Sequence, residues 1–235
     1  MLCAVMAVAA GAAAQFGSRG GLGYVEPNVE YDGRFVFSRL RYLSNSAWNH
    51  DYPRGDRHLE RIVAEVTHVP THTDGSNVFR LDDPELFKHP IAYLSEPGFW
   101  DMSDEEAASL RAYLLKGGFL IFDDFRGGDW YNFEEQLHRV LPDARLVQLD
   151  VSAPVFHSFF DIESLDFVQL YDRDVPVFFG VFEDNDPGKR LMVVANYNND
   201  IGEYWEFSDT GYVAIDLSNE AYKFGVNYVI YAMTH

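Results

Sequence analysis

Residues 89–125 read HPIAYLSEPGFWDMSDEEAASLRAYLLKGGFLIFDDF, and this stretch decides the fold class. Pro90–Ser95 and Phe119–Phe122 are short apolar runs typical of strands that are buried on both faces. Between them, Ser103 and Glu106 have the spacing of a capping box, which predicts the start of a helix that a pair of glycines then ends. The stretch therefore predicts a strand–helix–strand unit of a parallel sheet.

The same alternation continues on both sides of this stretch. Further strands are predicted at Arg34–Tyr42 and Arg145–Val151, and further helices at His58–Val69, Phe133–Val140 and Asn219–His235. Two more apolar runs, Val175–Glu183 and Leu191–Tyr197, are joined by turn-forming residues and predict a C-terminal β-hairpin appended to the parallel sheet. The pattern indicates a mainly parallel sheet with helices on both faces.

Length and composition favour one acidic domain over residues 31–235. The chain has 235 residues, of which 47% are hydrophobic and 16% aromatic, so one large core can form. The formal net charge of −19 repels nucleic-acid phosphates and anionic lipid surfaces. We therefore expect no nucleic-acid partner.

Residues 1–14, MLCAVMAVAAGAAA, predict a signal peptide cleaved after Ala14, with an apolar N-terminal helix as the alternative. The run is too short to span a bilayer, which takes roughly 20 residues. Cys3 is the single cysteine, so the mature chain would contain no thiol. The glycine-rich residues 15–30 predict a flexible lead. We expect an exported protein of the periplasm or cell envelope, with no transmembrane segment in the mature chain.

The stretch at 89–125 also carries a family resemblance, together with FSRLRY, PVFHSFFDI, NNDIGEYW and the C-terminal FGVNYVIYAMTH. These motifs resemble the bacterial domain of unknown function 4159 family. That family looks like a member of the class I glutamine amidotransferase-like superfamily, close to its ThuA-like branch. The resemblance implies a flavodoxin-like three-layer α/β/α sandwich.

The resemblance also brings an informative difference. Active amidotransferases carry a nucleophilic cysteine on the turn after the strand that corresponds to FLIF, whereas this chain has Asp123 and Asp124 there. An aspartate cannot form the thioester that glutamine hydrolysis requires. The chain is therefore not expected to be a glutamine amidotransferase, and we favour a non-catalytic role.

The first candidate site lies beyond the carboxyl ends of the parallel strands, where ligands bind in open sheets. The residues expected there are Ser95, Glu96, Trp100, Asp123, Asp124 and Arg126. The two adjacent aspartates could hold a divalent metal, the only cofactor that the sequence suggests, if the chain turns between them. In the alternative, Asp123 caps a loop and Asp124 pairs with Arg126 or Arg39.

A second cluster follows the Leu191–Tyr197 strand and consists of Asn198, Asn199, Asp200, Glu203, Tyr204 and Trp205. An aromatic face beside amide and carboxylate groups suits a sugar ring. The alternative interpretation of the same residues is a polar turn with Trp205 buried in the core. His157 lies in the apolar segment PVFHSFF. It could serve as a catalytic base or as a buried, hydrogen-bonded structural side chain.

These features lead to competing functional hypotheses. The first is an exported, non-catalytic module that binds a small-molecule ligand, with carbohydrate favoured, or a protein partner in the cell envelope. The second is a metal-assisted hydrolase centred on Asp123 and Asp124, with His157 as a candidate base. The third is a scaffold in an envelope complex.

Overall fold

A computed structural model describes residues 25–42, 46–166 and 175–235. The predicted signal peptide at residues 1–14 lies outside these ranges, as does most of the predicted lead at residues 15–30. The described end of that lead is held by hydrogen bonds. The Glu26 amide donates to the Tyr52 hydroxyl at 3.0 Å, and the Val29 amide donates to the Asn77 side chain at 2.7 Å.

Seven strands of the described chain form one sheet in the order β2-β1-β3-β4-β7-β6-β5. Every neighbouring pair from β2 to β7 is parallel, and β6 runs antiparallel to both of its neighbours. The chain is thus an α/β protein with a mostly parallel sheet. The strands are β1 Ser38–Arg41, β2 Asn77–Arg80, β3 Ile91–Ser95, β4 Phe119–Phe125, β5 Val147–Gln148, β6 Val177–Phe182 and β7 Leu191–Tyr197.

Among the described residues, five α-helices accompany the sheet: α1 Arg54–Val66, α2 Asp104–Leu115, α3 Asp129–Val140, α4 Ile201–Glu206 and α5 Ile215–Thr234. The strand–helix–strand prediction is confirmed by β3, α2 and β4. The capping box is confirmed too, since Ser103 and Glu106 make both of its hydrogen bonds. Within the described ranges, no helix is both long enough and apolar enough to cross a membrane.

Two elements were missed and one was overestimated. The strand β2 has only four residues between turn formers, too few to show a periodicity. The helix α4 begins in the polar run NNDIGEYW, which resembles a turn. The predicted strand Arg145–Val151 is reduced to Val147–Gln148.

Two hydrophobic clusters bury the two faces of the sheet. Along β4, Phe119 and Ile121 belong to one cluster, whereas Leu120 and Phe122 belong to the other, as the alternation of side chains on a strand requires. Residues of α1, α4 and α5 complete the first cluster, and residues of α2 and α3 complete the second. The sheet is therefore covered by helices on both sides.

Two charged groups of α1 are buried against β1. Asp56 forms a fully buried ion pair with Arg39, which also donates to the Trp48 carbonyl at 3.1 Å. Glu60 is fully buried as well and accepts one hydrogen bond, from the Phe37 amide at 2.8 Å. Its second oxygen has no hydrogen-bond partner among the described residues. Burial raises the pKa of Glu60 to about 9.

This burial predicts how stability depends on pH. The folded chain keeps Glu60 neutral, whereas the unfolded chain ionises it above a pKa of about 4.5, so unfolding becomes more favourable as pH rises from about 4.5 to about 9. We expect wild type to lose up to about 1.4 kcal/mol of unfolding free energy per pH unit relative to Glu60→Gln. Urea denaturation at pH 5.5, 7 and 8.5 measures this difference.

The matched control is Glu65→Gln on the same helix, at a solvent-exposed position. Its difference from wild type should stay constant with pH. A constant difference for Glu60→Gln as well would show that Glu60 is ionised in the folded protein.

Candidate functional site

The candidate site lies where the carboxyl ends of β1, β3, β4 and β7 meet at one edge of the sheet. From β1 the chain passes to β2 on one side, and it then returns to β3 on the other side. The connection after β1 leads toward β2, whereas the connection after β3 leads toward β4 on the opposite side. A crevice opens between the ends of two adjacent parallel strands whose connections leave in opposite directions. The topology therefore brings together residues that follow four different strands.

Asp123 is the buried anchor of this edge. Its carboxylate accepts hydrogen bonds from the Tyr93 hydroxyl at 2.8 Å, the Asn196 amide at 3.0 Å and the Gly202 backbone N–H at 2.8 Å. The side chain is fully buried, and burial raises its pKa to about 6 although the three donors oppose the shift. Asp123 therefore ties β3, β7 and α4 together.

Asp124 is directed to different partners because the chain turns at this residue. Its φ is 57°, and the pairing of β4 with β7 is irregular between Phe122 and Phe125. Its carboxylate lies 3.1 Å from Arg126 Nη2 and 3.4 Å from His50 Nδ1. Burial alone would raise the pKa of Asp124, but His50 and Arg126 outweigh burial and lower it.

The first of two candidate ligand groups consists of His50, Glu96 and Asp124. Each offers one ligand atom, and the three atoms lie within 4.8 Å of one another. His50 Nδ1 is 3.0 Å from Glu96 Oε1. Hydrogen bonds to Asp124 and Glu96 raise the pKa of His50 above its ordinary value. We call this group the histidine triad.

The second group consists of Asp51, Asp200 and Glu203, whose ligand atoms also lie within 4.8 Å of one another. We call it the carboxylate triad. Asp200 begins α4 and accepts a hydrogen bond from the Glu203 amide at 3.0 Å. Burial raises the pKa values of Asp51 and Asp200 well above the usual carboxyl range, and the charge of Asp124 raises both further. Asp51 Oδ2 is buried and has no hydrogen-bond partner among the described residues.

The turns that present these groups share an uncommon backbone conformation. Asp51, Glu96, Asp124 and Asn198 have φ values of 63°, 53°, 57° and 57°, in the left-handed region that side chains other than glycine seldom adopt. Glu96 is held there by the Tyr42 hydroxyl, which donates to its carbonyl at 2.9 Å. Left-handed residues of this kind tend to cluster at functional sites.

The structure brings several of the residues predicted from sequence to this edge. Glu96, Asp124, Asp200 and Glu203 belong to the two triads, and Arg126 contacts Asp124. Ser95 precedes Glu96, and its hydroxyl is buried. Asp123 is adjacent but belongs to neither triad. Asn198 lies in the turn after β7, where its side-chain oxygen accepts a hydrogen bond from the Gly127 amide at 3.3 Å.

Other predicted residues lie elsewhere or are inaccessible. Trp100 and Trp205 are 1% and 2% exposed and belong to the two hydrophobic clusters, so neither ring can stack on a sugar in this structure. His157 contacts Asp161 and the Val151 carbonyl and belongs to neither triad. Arg39, considered as a partner of Asp124, pairs with Asp56 instead.

Sequence reasoning missed His50 and Asp51. They lie in the segment between β1 and α1, which carries no periodicity or motif. Only their position in the chain could have indicated a role in the site. The segment follows the carboxyl end of β1, so it must pass the edge of the sheet at which the site lies. The start of α4 had a clearer signal, since Asp200 and Glu203 have the spacing of a helix cap.

Comparison with protein families gives a match over most of the chain. The family model described as Domain of unknown function (DUF4159) matches residues 36–233. The chain belongs to this family. The match runs from the residues before β1 almost to the end of the chain, so the DUF4159 domain includes both triads. No curated protein matches the chain.

Gly202 leaves no room for a side chain within this DUF4159 domain. A Cβ atom at this position would collide with Asp51 Oδ2 and would lie 2.8 Å from the Tyr93 hydroxyl. We expect Gly202→Ala to destabilise the domain by about 1–3 kcal/mol, because the overpacked side chains must shift. Chemical denaturation measures the change.

Gly128→Ala provides the control. A Cβ atom there meets nothing within 4 Å, and the φ of −67° suits alanine. Its stability should stay within about 0.5 kcal/mol of wild type. Equal losses in the two variants would contradict the close approach of Asp51 to Gly202.

Proposed function

We propose that this chain is a divalent-cation-binding domain, with the cation at the carboxylate triad of Asp51, Asp200 and Glu203. The observation that carries the proposal is the buried Asp51 Oδ2, which has no hydrogen-bond partner among the described residues. Asp51 is only 7% exposed, and its neighbours in the triad are also acidic. A buried carboxylate oxygen in such surroundings is costly unless a cation or a proton compensates it.

The charges around the triad support a cation. The charge of Asp51 raises the pKa of Asp200, and Asp123 and Glu203 add to this effect; Glu203 also raises the pKa of Asp51. The nearby guanidinium groups already have carboxylate partners, since Arg39 pairs with Asp56 and Arg126 with Asp124. A bound dication would supply the positive charge that this cluster requires.

The donor atoms indicate the class of metal. The triad offers carboxylate oxygens only, the ligands that suit Mg²⁺, Ca²⁺ and Mn²⁺. In addition, the three side chains come from separate places, with Asp51 preceding α1, Asp200 starting α4 and Glu203 lying within α4. A hard divalent cation is therefore the favoured ligand.

Asp51→Asn should have two opposite effects. Without divalent ions it removes a carboxyl group whose ionised form is disfavoured by burial and by Asp124, so we expect the melting temperature to rise by about 2–4 °C, or roughly 1 kcal/mol. With a cation at about a hundred times its Kd, wild type should gain about 2.7 kcal/mol, or about 5–10 °C, and the variant should gain little. Thermal melts in EDTA and in Mg²⁺, Mn²⁺ or Ca²⁺ measure both effects.

Two further variants sharpen this experiment. Asp200→Asn keeps a side-chain oxygen to cap α4 but removes the charge, so it should also lose the cation response. Asp143→Asn alters an exposed aspartate outside both triads and should respond as wild type does. A melting temperature of wild type that does not change with any of the three ions would refute the proposal.

Metal-assisted hydrolysis is a second candidate function. The side chain of His50 is 53% exposed and Glu203 is half-buried, so one side of the site faces solvent. A cation there would keep water among its ligands, and metal-bound water is the nucleophile of many hydrolases. We expect turnover of p-nitrophenyl phosphate or acetate that depends on Mn²⁺ and falls at least about a hundredfold in Asp200→Asn. Turnover unaffected by EDTA would exclude this function.

We further propose that the fold is the flavodoxin-like sandwich of the amidotransferase-like superfamily. Its support is the order β2-β1-β3-β4, which corresponds to the start of the flavodoxin-like order, and the helices on both faces of the sheet. Asp124 then stands at the turn where active amidotransferases carry their cysteine.

Export through residues 1–14 remains a prediction from the sequence.

A further inference from the structure

We propose that the same edge holds a second divalent cation, bound by the histidine triad of His50, Glu96 and Asp124. This inference rests on the proposed function, which places the first cation at the carboxylate triad. The second group offers one imidazole nitrogen and two carboxylate oxygens. His50 Nδ1 lies 3.0 Å from Glu96 Oε1 and 3.4 Å from Asp124 Oδ2, so all three donors already converge.

The two triads adjoin each other at consecutive residues. His50 and Asp51 are consecutive residues, and they contribute to different triads. After burial, the charge of Asp124 is the largest influence that raises the pKa of Asp51, and it is also the largest at Asp200. The geometry agrees, because a Cβ atom at Gly202 would meet both Asp51 Oδ2 and the Tyr93 hydroxyl, and that hydroxyl donates to Asp123, the residue before Asp124. We expect Asp124 to bridge the two cations, as in two-metal sites whose ions are about 3.5–4 Å apart.

Ser95 supplies an independent observation. Its hydroxyl is fully buried and has no hydrogen-bond partner within the described ranges. Ser95 pairs with Asp123 in the sheet and follows Tyr93 by two residues, so it faces the side of the sheet on which Tyr93 meets Asp123. An unpaired buried hydroxyl is destabilising, and water bound to a cation at this edge of the sheet would satisfy it.

A protonated His50 is the competing arrangement. An imidazolium between Glu96 and Asp124 would be stabilised by both carboxylates, as the raised pKa of His50 reflects. A proton and a metal ion cannot both occupy Nδ1. The number of bound cations and the presence of a nitrogen ligand therefore distinguish the two arrangements.

Manganese is the suitable probe, because Mn²⁺ accepts carboxylate oxygens and also binds imidazole. Isothermal titration of the full chain should give two Mn²⁺ ions for wild type and for Asp143→Asn. Glu96→Gln should lose only the second site, and Asp200→Asn should lose only the first. Asp124→Asn should weaken both sites by about tenfold or more, because it removes the ligand between them.

Pulsed electron paramagnetic resonance of the Mn²⁺-loaded protein tests the ligand directly. Wild type and Asp200→Asn should show coupling of Mn²⁺ to ¹⁴N, and His50→Gln should lose it. Circular dichroism verifies that each variant folds. If a variant does not fold, the stoichiometry and the nitrogen coupling of wild type decide the question.

The outcomes separate this inference from the proposed function. One Mn²⁺ per chain, retained in Glu96→Gln and without nitrogen coupling, would overturn the second site and leave the first intact. No bound Mn²⁺ in wild type would overturn both. Two ions with nitrogen coupling that depends on His50 would establish the two-cation centre.

Discussion

The buried carboxylate of Asp123 joins three elements that are distant in sequence, and the geometry of the candidate site depends on this connection. Tyr93 reaches it from β3, Asn196 from β7, and the Gly202 amide from the first turn of α4. The hydrogen bond to Gly202 fixes where α4 begins and thereby places Asp200 and Glu203. The bond to Tyr93 aligns β3 with β4, and Glu96 follows directly after β3. A carboxylate suits this position because its two oxygens can accept hydrogen bonds from donors that arrive from different directions.

Around this anchor the protein concentrates negative charge in a region with little solvent. Stability alone would favour apolar side chains at such positions, since burying a charge costs more than burying a hydrocarbon. Beneath α1, by contrast, the buried charges of Arg39 and Asp56 form an ion pair. The triads differ because two of their carboxyl groups, Asp51 and Asp200, have pKa values raised well above the usual range. Such perturbed groups at the carboxyl edge of a parallel sheet are characteristic of functional sites.

The sequence was most informative where local pattern and tertiary structure agree. The stretch around α2 predicted two strands, a helix and its capping box because burial on both faces and helix capping leave local traces. The residues at strand ends, Glu96 and Asp124, could be assigned to the site from topology alone. His50 and Asp51 could not, because their position depends on the path of an irregular segment. Trp100 and Trp205 were misleading for a related reason, since a polar neighbour in sequence does not reveal which side of the chain faces the core.

The wide spacing of the site residues along the chain also bears on how the protein unfolds. The two triads draw on residues 50–51, 96, 124 and 200–203, so they assemble only after β1, β3, β4 and β7 have paired. If these contacts form after the folding nucleus, stabilising them slows unfolding rather than speeding folding. A cation bound at this edge would then lower the rate of unfolding. It would lengthen the lifetime of the native state against proteases, even where its effect on the folding rate is negligible.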